Sequence, residues 1–207
     1  MPKYKELPGS SNIPVEDDFR KMLGKARDED EKRLLLTLWL TGARPGEFLM
    51  VKGKDCAPNE KTLRMRVPTE KLHGTGQFQI RERVLEWERV NEWVELLIPL
   101  LPTTPEAFLI WNERGDRTLA TLERRAQRII NKLTLEVMGI ELSPYHFRHG
   151  LLTNMGEAKN ESGAYIYNVY DLKAWKGAKT VKSVEGYIHS RSPLMNMGAI
   201  NRTRKLD

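Results

Sequence analysis

Four separated stretches of this 207-residue chain carry side chains that could act together on a phosphate ester. They contribute two arginines, a lysine and a tyrosine, namely Arg44, Arg148, Lys71 and Tyr187. A planar guanidinium can bind two oxygens of one phosphate, so a pair of arginines suits the negative charge that develops during in-line attack. A tyrosine hydroxyl, with an ordinary pKa of about 10, attacks only when a base or a cationic surrounding helps to remove its proton. These residue types, if they converge, are suited to attack on a phosphodiester.

Each stretch also has a simpler explanation when it is taken alone. A Thr-Gly-x-Arg turn, as at 41–44, is common where a helix ends and a solvated arginine follows. A single tyrosine in a helix is more often a core residue with a hydrated hydroxyl. Lys71 could be a solvated loop charge, and Lys61 competes with it for any role on the strand. The order of the four stretches therefore decides between the explanations.

That order resembles the tyrosine recombinase (phage integrase) family, and the resemblance extends over essentially the whole chain. The stretches are TGARPGEFL at 41–49, PTEKLHGTGQFQIRERV at 68–84, SPYHFRHGLLT at 143–153 and WKGAKTVKSVEGYIH at 175–189. The first and third are similar to the two arginine boxes of the family, and the fourth ends in its Tyr-x-His pattern. The resemblance implies the catalytic-domain fold of this family and a site-specific DNA recombinase or integrase.

The resemblance also implies a role for each matched residue. Arg44 and Arg148 would be the catalytic arginines, and Glu47 would support the site. Tyr187 would be the nucleophile, and Lys71 on the hairpin rim would give a proton to the departing 5′ oxygen. A 3′-phosphotyrosyl ester would store the energy of the broken bond, so we expect no metal, ATP or other cofactor.

The chain departs from the family pattern at the start of the second box. Tyr145 stands three residues before Arg148 where the family usually has a histidine, and the neighbouring His146 is predicted to be a surface or packing residue. A tyrosine can hydrogen-bond a phosphate oxygen but accepts a proton poorly near neutral pH, so His149 or water would deprotonate Tyr187. A tyrosine at this position is similar to recombinases of archaeal mobile elements, which favours a plasmid or virus integrase.

A second departure follows Gly177. The family commonly has a histidine or tryptophan next, whereas this chain has Ala178, which has no side-chain donor. Lys176, Lys179 or a partner residue would then have to supply the missing hydrogen bond. An alternative function is therefore a DNA-binding protein on the same fold with weakened or lost activity.

Two further explanations fit the sequence less well. A helical DNA-binding regulator could insert residues 144–158 into a groove with Arg148 as a contact, but this leaves Tyr187 unexplained. A type IB topoisomerase that only relaxes DNA would share the chemistry, yet the two box sequences resemble integrases more closely.

Composition agrees with a DNA partner without requiring one. The chain has 34 Lys and Arg against 28 Asp and Glu, which gives a formal net charge of +6. Basic side chains neutralise phosphates and release the counterions condensed on them. The single cysteine, Cys56, excludes an intramolecular disulfide, and the sequence shows neither an export signal nor a membrane span. We expect a cytoplasmic, DNA-associated protein.

Apolar periodicity and turn residues predict one mainly α domain with a small antiparallel β-sheet, an α+β fold. The predicted helices cover 15–27, 30–41, 45–50, 90–101, 118–138, 144–158, 164–175 and 181–188. Strands 62–68 and 77–85 are predicted to form a hairpin with a long tip, and Val84 belongs to the apolar alternation of the second strand. Segment 53–60 is predicted to be a loop.

The domain boundaries expected are a flexible arm at 1–13, a catalytic domain at 14–191 and a tail at 192–207. Pro193 is placed to begin a last helix, in which Leu194, Met197 and Ile200 recur at threes. This short apolar stripe either covers the chain's own core or docks on a neighbouring protomer, and the resemblance favours docking. We expect a monomer in solution and a tetramer on double-stranded DNA. Few residues precede the first predicted helix, so we expect an isolated catalytic domain or a minimal recombinase.

Overall fold

The computed structural model describes residues 13–72, 78–112, 114–178 and 180–188, and for 69–72, 78–82 and 186 it describes the backbone only. The chain divides into two compact units, residues 1–151 and residues 152–207. Residues 1–12 of the predicted arm (1–13) lie outside the described residues, as does the predicted tail helix with Pro193, Leu194, Met197 and Ile200. No helix in the described part is both long enough and apolar enough to span a membrane.

Helices make up most of the described chain. They are α1 (Glu16–Lys25), α2 (Glu29–Thr41), α3 (Pro45–Phe48), α4 (Glu92–Leu97), α5 (Leu119–Met138), α6 (Pro144–Glu157) and α7 (Val169–Lys176). Short 3-10 turns cover Gly53–Asp55, Ile98–Leu100, Val181–Ser183 and Glu185–Tyr187. The three strands are β1 (Cys56–Pro58), β2 (Thr62–Leu72) and β3 (Phe78–Glu88). The prediction of a mainly helical fold is confirmed.

The core of the first unit is built on the apolar faces of α2 and α5. Leu34, Leu35 and Leu38 of α2 are fully buried, and the buried side chains of α5 include Leu122, Ala126, Ile129 and Leu133. An aromatic cluster joins four helices: the Phe19 ring of α1 stacks on Trp39 of α2, with the ring centroids 4.3 Å apart. Trp93 of α4 and Phe147 of α6 meet these rings edge to face. Aromatic rings prefer stacked or edge-to-face arrangements, so these contacts restrict how the four helices pack against one another.

The turn from α2 to α3 depends on Gly42. Its φ of 52° is left-handed, a conformation that glycine adopts without strain, and its N–H caps α2 at the Leu38 carbonyl. A Cβ added here would lie 2.9 Å from Leu151 Cδ2 and 3.4 Å from the Arg148 Cα of α6. The turn can therefore pack directly on α6, and this brings the start of α3 next to Arg148.

The sheet is antiparallel with the strand order β1-β2-β3. Strand β1 was not predicted, because three residues that include Pro58 form an edge strand only through pairing with β2. Among the described side chains of β2, Leu63, Met65 and Val67 are buried. Among those of β3, Arg83 and Leu85 are buried, whereas Val84 is 46% exposed. The predicted alternation through Val84 is therefore wrong by one residue at this end of the strand.

Three predicted helices are shorter than expected. Segment 90–101 forms α4 and then a 3-10 turn, and segment 181–188 forms two 3-10 turns. Helix α7 begins at Val169 rather than at Ala164, because the Asn168 side chain accepts the backbone N–H groups of Tyr170 and Asp171. Lys159 and Tyr165 instead form an isolated β-bridge upstream of this cap. A local capping interaction outweighs helix propensity at this position.

Candidate active site

Arg44 is oriented by Glu47 at the start of α3. The Glu47 carboxylate accepts the Arg44 guanidinium at Oε1, 2.7 Å away, and the Arg44 backbone N–H at Oε2, 3.0 Å away. The side chain of Glu47 is only 2% exposed, whereas that of Arg44 is 40% exposed. One buried carboxylate therefore holds a guanidinium that solvent, and hence a ligand, can reach.

Arg148 of α6 approaches the same carboxylate. Its Nη1 donates to the Gly42 carbonyl at 2.7 Å and lies 3.8 Å from Glu47 Oε2. Arg148 is buried, and the close approach of α6 to the glycine turn explains why it reaches Glu47. The two arginines that the sequence singled out are thus brought together around Glu47.

Arg83 of β3 is a third arginine at this carboxylate, and sequence reasoning missed it. Its Nη2 donates to Glu47 Oε2 at 3.0 Å. Burial lowers the pKa of the Arg83 guanidinium, Glu47 opposes this shift, and Arg44 adds to it. The sequence does contain a signal for it, because Arg83 lies two residues before Leu85 and four before Trp87, and residues at this spacing share one face of a strand.

We call Arg44, Glu47, Arg83 and Arg148 the Glu47 cluster. Three guanidinium groups and one carboxylate leave two formal positive charges. Such a surplus at a partly exposed position attracts anions, and guanidinium groups favour phosphate. Among the described residues, no three His, Cys, Asp or Glu side chains come together as metal ligands.

Tyr145 and His146 have different environments on the first turn of α6. Tyr145 is 53% exposed and lines a groove of about 850 Å³ together with Pro45 and one face of α5. His146 is half-buried, and its Nδ1 accepts the Ser143 backbone N–H at 3.0 Å and contacts the Ser143 hydroxyl. Burial lowers the pKa of His146. His146 was predicted to be a surface or packing residue, and the structure places it in a half-buried position against Ser143.

The remaining candidates of the first unit are His149, Lys71 and Lys61. His149 is half-buried on α6, directly after Arg148. Lys71 lies on β2 opposite Gln79, near the end of the hairpin, and its side chain is outside the described part. Lys61 is exposed at the other end of β2, where its carbonyl accepts the N–H of Arg89. The role of Lys71 stays a prediction.

Basic side chains line a second, smaller groove beside α5. It has a volume of about 230 Å³ and is lined by Arg27, Arg125, Arg128, Ile129 and Lys132. Arg128 also lines the larger groove next to Tyr145, together with Arg124. Arg124, Arg125, Arg128 and Lys132 of α5, with Arg27 beside them, thus line two grooves that share Arg128, and we call these five side chains the α5 basic face.

Tyr187 lies in the second unit, in the 3-10 turn Glu185–Tyr187, and is half-buried. The Lys176 ammonium lies 4.9 Å from the centre of its ring and donates to the Ser183 carbonyl. The backbone of this turn packs on the end of α6, since a Cβ at Gly156 would lie 1.9 Å from the Tyr187 carbonyl oxygen. Ala178 is half-buried, and its N–H donates to the Lys173 carbonyl. Lys179 lies outside the described residues.

No protein-family model matches the chain, and no curated protein matches its sequence. Solved structures do match. XerA recombinase has a TM-score of 0.57 at 21% identity, over 96% of this chain and 67% of that one. XerH recombinase in a pre-cleavage complex with its difH substrate has a TM-score of 0.57 at 17% identity, over 94% of this chain and 55% of that one.

The Tn1549 transposon integrase, solved with transposon right end DNA, has a TM-score of 0.59 at 15% identity, over 92% of this chain and 65% of that one. The chain thus spans between about half and two thirds of the length of these proteins. At such identities the likeness establishes the architecture. The chain has the mainly α fold with a small antiparallel sheet that is found in the catalytic domains of tyrosine recombinases.

Proposed function

We propose that this chain is a site-specific DNA recombinase or integrase that cuts and rejoins DNA through a 3′-phosphotyrosyl link to Tyr187. The observation that carries the proposal is the convergence of Arg44 and Arg148 on the buried carboxylate of Glu47. Two similar solved proteins are described as bound to DNA, which supports a DNA partner. The resemblance of Tyr145 to recombinases of archaeal mobile elements supports a plasmid or virus integrase, and we expect it to act in the cytoplasm.

The two arginines would bind the non-bridging oxygens of the scissile phosphate. Glu47 orients Arg44 before the ligand arrives, so little reorganisation is needed when charge develops on the phosphate. Arg148 is fixed by the Gly42 carbonyl and adds a second guanidinium from α6. Tyr145, exposed at the groove, would donate a hydrogen bond to a phosphate oxygen.

Tyr187 would then attack the phosphorus atom. The bond to the 5′ oxygen breaks, Lys71 gives that oxygen a proton, and the phosphate remains esterified to Tyr187. His149 or water would take the tyrosine proton, and the Lys176 ammonium beside the ring favours the phenolate by its charge. Attack by the 5′ hydroxyl of another strand reverses these steps. The ester conserves the bond, so neither ATP nor a metal ion is required for rejoining.

The α5 basic face would contact the DNA backbone. Arg124, Arg128 and Lys132 are exposed, and Arg27 and Arg125 extend the surface beside them. Phosphate contacts of this kind fix the position of a protein on DNA without reading its sequence.

Assembly on DNA would bring protomers together. The protein would be a monomer when free and a tetramer in the synapse, with residues 193–207 docking on a neighbouring protomer. Deletion of residues 193–207 should then leave single-site cleavage and the melting temperature nearly unchanged but abolish recombination between two sites. A melting temperature lowered by many degrees would show instead that the tail covers the chain's own core.

A catalytically weakened DNA-binding protein on the same fold is the second candidate. Ala178 favours it, since this half-buried residue has no side-chain donor for a phosphate oxygen. Tyr145 favours it as well, because its hydroxyl is a poor base at neutral pH.

Covalent capture on DNA separates the two candidates. The protein is incubated, with a chelator present, with a pool of randomised duplexes that carry a nick beside each possible cleavage position. Denaturing gels and sequencing then identify any strand attached to protein. We expect an adduct with wild-type protein and none with Tyr187→Phe, at nearly unchanged DNA affinity. Tyr170→Phe, which changes an exposed tyrosine of α7, is the matched control. Sequence-selective binding without any adduct would support the weakened protein.

A further inference from the structure

Arg83 carries a charge in a position that otherwise belongs to the core. It lies on β3 in phase with Leu85, and it is buried while Val84 beside it is exposed. Its Nη2 donates to the oxygen of Glu47 that also accepts the Arg44 backbone and faces Arg148. We propose that Arg83 is a positioning residue that neutralises Glu47, so that the Glu47 cluster keeps the surplus positive charge with which the exposed Arg44 binds a phosphate. This inference rests on the proposed function, in that it assumes a phosphate ligand at this cluster.

The hydrogen bonds around Glu47 are the reason for assigning this positioning role to Arg83. Oε1 is occupied by the Arg44 guanidinium, and Oε2 by Arg83 and the Arg44 backbone. Arg148 lies 3.8 Å from Oε2, which is ion-pair distance but longer than a hydrogen bond. Without Arg83, Oε2 would attract Arg148 more strongly and draw its guanidinium inward. The cluster would also fall from two formal positive charges to one.

A purely structural role explains Arg83 less well. A buried ion pair gains little over apolar residues of similar size, because the loss of hydration offsets the attraction between the charges. Methionine is an unbranched apolar side chain of similar reach and could pack beside Leu85. What methionine lacks is the positive charge at Glu47, so the contribution that distinguishes Arg83 is electrostatic.

The test measures phosphate binding, which does not depend on strand transfer. Inorganic phosphate is titrated into the wild type and variants, and the Arg44 side-chain N–H signal is followed by NMR. Loss of that signal in Arg44→Ala assigns it. The variants are Arg83→Met, Arg83→Lys and the double variant Arg83→Met with Glu47→Gln. Thermal melts show which variants are folded.

Arg83→Met should weaken phosphate binding about tenfold or more, because one charge is lost close to the ligand. The double variant restores two formal positive charges, and the amide oxygen that Glu47→Gln introduces can still accept from Arg44, so its affinity should return to within about threefold of wild type. Arg83→Lys keeps the charge and can still donate to Glu47 Oε2, so it should also stay within about threefold even if it melts earlier.

Three results would overturn the inference: wild-type affinity in Arg83→Met, a double variant no tighter than Arg83→Met, or Arg83→Lys as weak as methionine. If Arg83→Met does not fold, Arg83→Gln, which also lacks the charge but keeps a donor for Glu47, takes its place in all three comparisons. If the affinity for phosphate at Arg44 depends on Arg83 but the protein forms no DNA adduct, the inference is upheld and the proposed function is rejected. If the protein forms an adduct and its affinity for phosphate is independent of Arg83, the proposed function is upheld and the inference is rejected.

Discussion

The guanidinium of Arg44 and the backbone N–H of the same residue both donate to the Glu47 carboxylate, at 2.7 and 3.0 Å. This pair of bonds fixes the side chain and the start of α3 together. A buried carboxylate is tolerated here because arginines surround it, and it gives Arg44 one orientation before any ligand binds. Pre-organisation of this kind lowers a reaction barrier when the charge it faces develops only in the transition state.

Replacement of Arg148 tests the two-arginine site. Arg148→Ala should raise the barrier to adduct formation by about 3 to 4 kcal/mol, as removal of one oxyanion donor does. Arg148→Lys should rescue it poorly, because an ammonium cannot bind two oxygens in a fork. Single-turnover cleavage rates measure both. Arg20→Ala, which removes an exposed arginine of α1, should cleave at the wild-type rate. Near wild-type cleavage by Arg148→Lys would contradict the proposal that the Arg148 guanidinium binds two phosphate oxygens.

Much of this site could be predicted from sequence, because several of the interactions that form it join residues that are close together in the chain. Gly42 ends α2, as a Thr-Gly turn commonly does, and it has the left-handed φ that glycine tolerates. Glu47 lies three residues after Arg44, the spacing at which a first helical turn brings side chain and backbone together. Arg83 could not be placed in this way. Val84 is apolar but exposed, so the alternation of apolar residues predicted that the exposed face of β3 was its buried face at this end. Its phase with Leu85 is the signal that the sequence contains for Arg83, and the register with β2, in which Arg83 faces Val67, places it on the core side.

His146 makes folding stability depend on pH. Burial lowers its pKa, so the unfolded chain binds a proton more readily than the folded one. Stability from this group is complete above the ordinary pKa of about 6.5 and is lost as the pH falls toward the lowered value. In His146→Gln the amide can still accept the Ser143 N–H, but nothing titrates. The melting temperature of the wild type should therefore fall relative to this variant between about pH 8 and about pH 5.5. A difference independent of pH would contradict this account.

Gly156 permits the close approach of the Tyr187 turn to α6. A Cβ at this position would lie 1.9 Å from a backbone oxygen, so Gly156→Ala must displace the turn. Since a displacement of about 1 Å can slow a reaction on the order of a hundredfold, adduct formation should fall by about that factor. Gly24→Ala is the matched control, because it also lies in a helix and a Cβ there meets nothing within 4 Å. Wild-type cleavage by Gly156→Ala would show that the turn has another arrangement during the reaction.

The α5 basic face predicts how DNA affinity depends on salt. Each lysine or arginine that neutralises a phosphate releases condensed counterions, so its removal lowers the slope of log affinity against log salt by about 1. Arg128→Gln and Lys132→Gln should each show this loss on duplexes of unrelated sequence, since phosphate contacts carry no base information. Lys21→Gln, at an exposed position of α1, should leave the slope unchanged. Fluorescence anisotropy over a salt series measures all three variants. If the two α5 variants keep the wild-type slope while Tyr187 still forms an adduct, the DNA backbone must cross the first unit elsewhere than on α5.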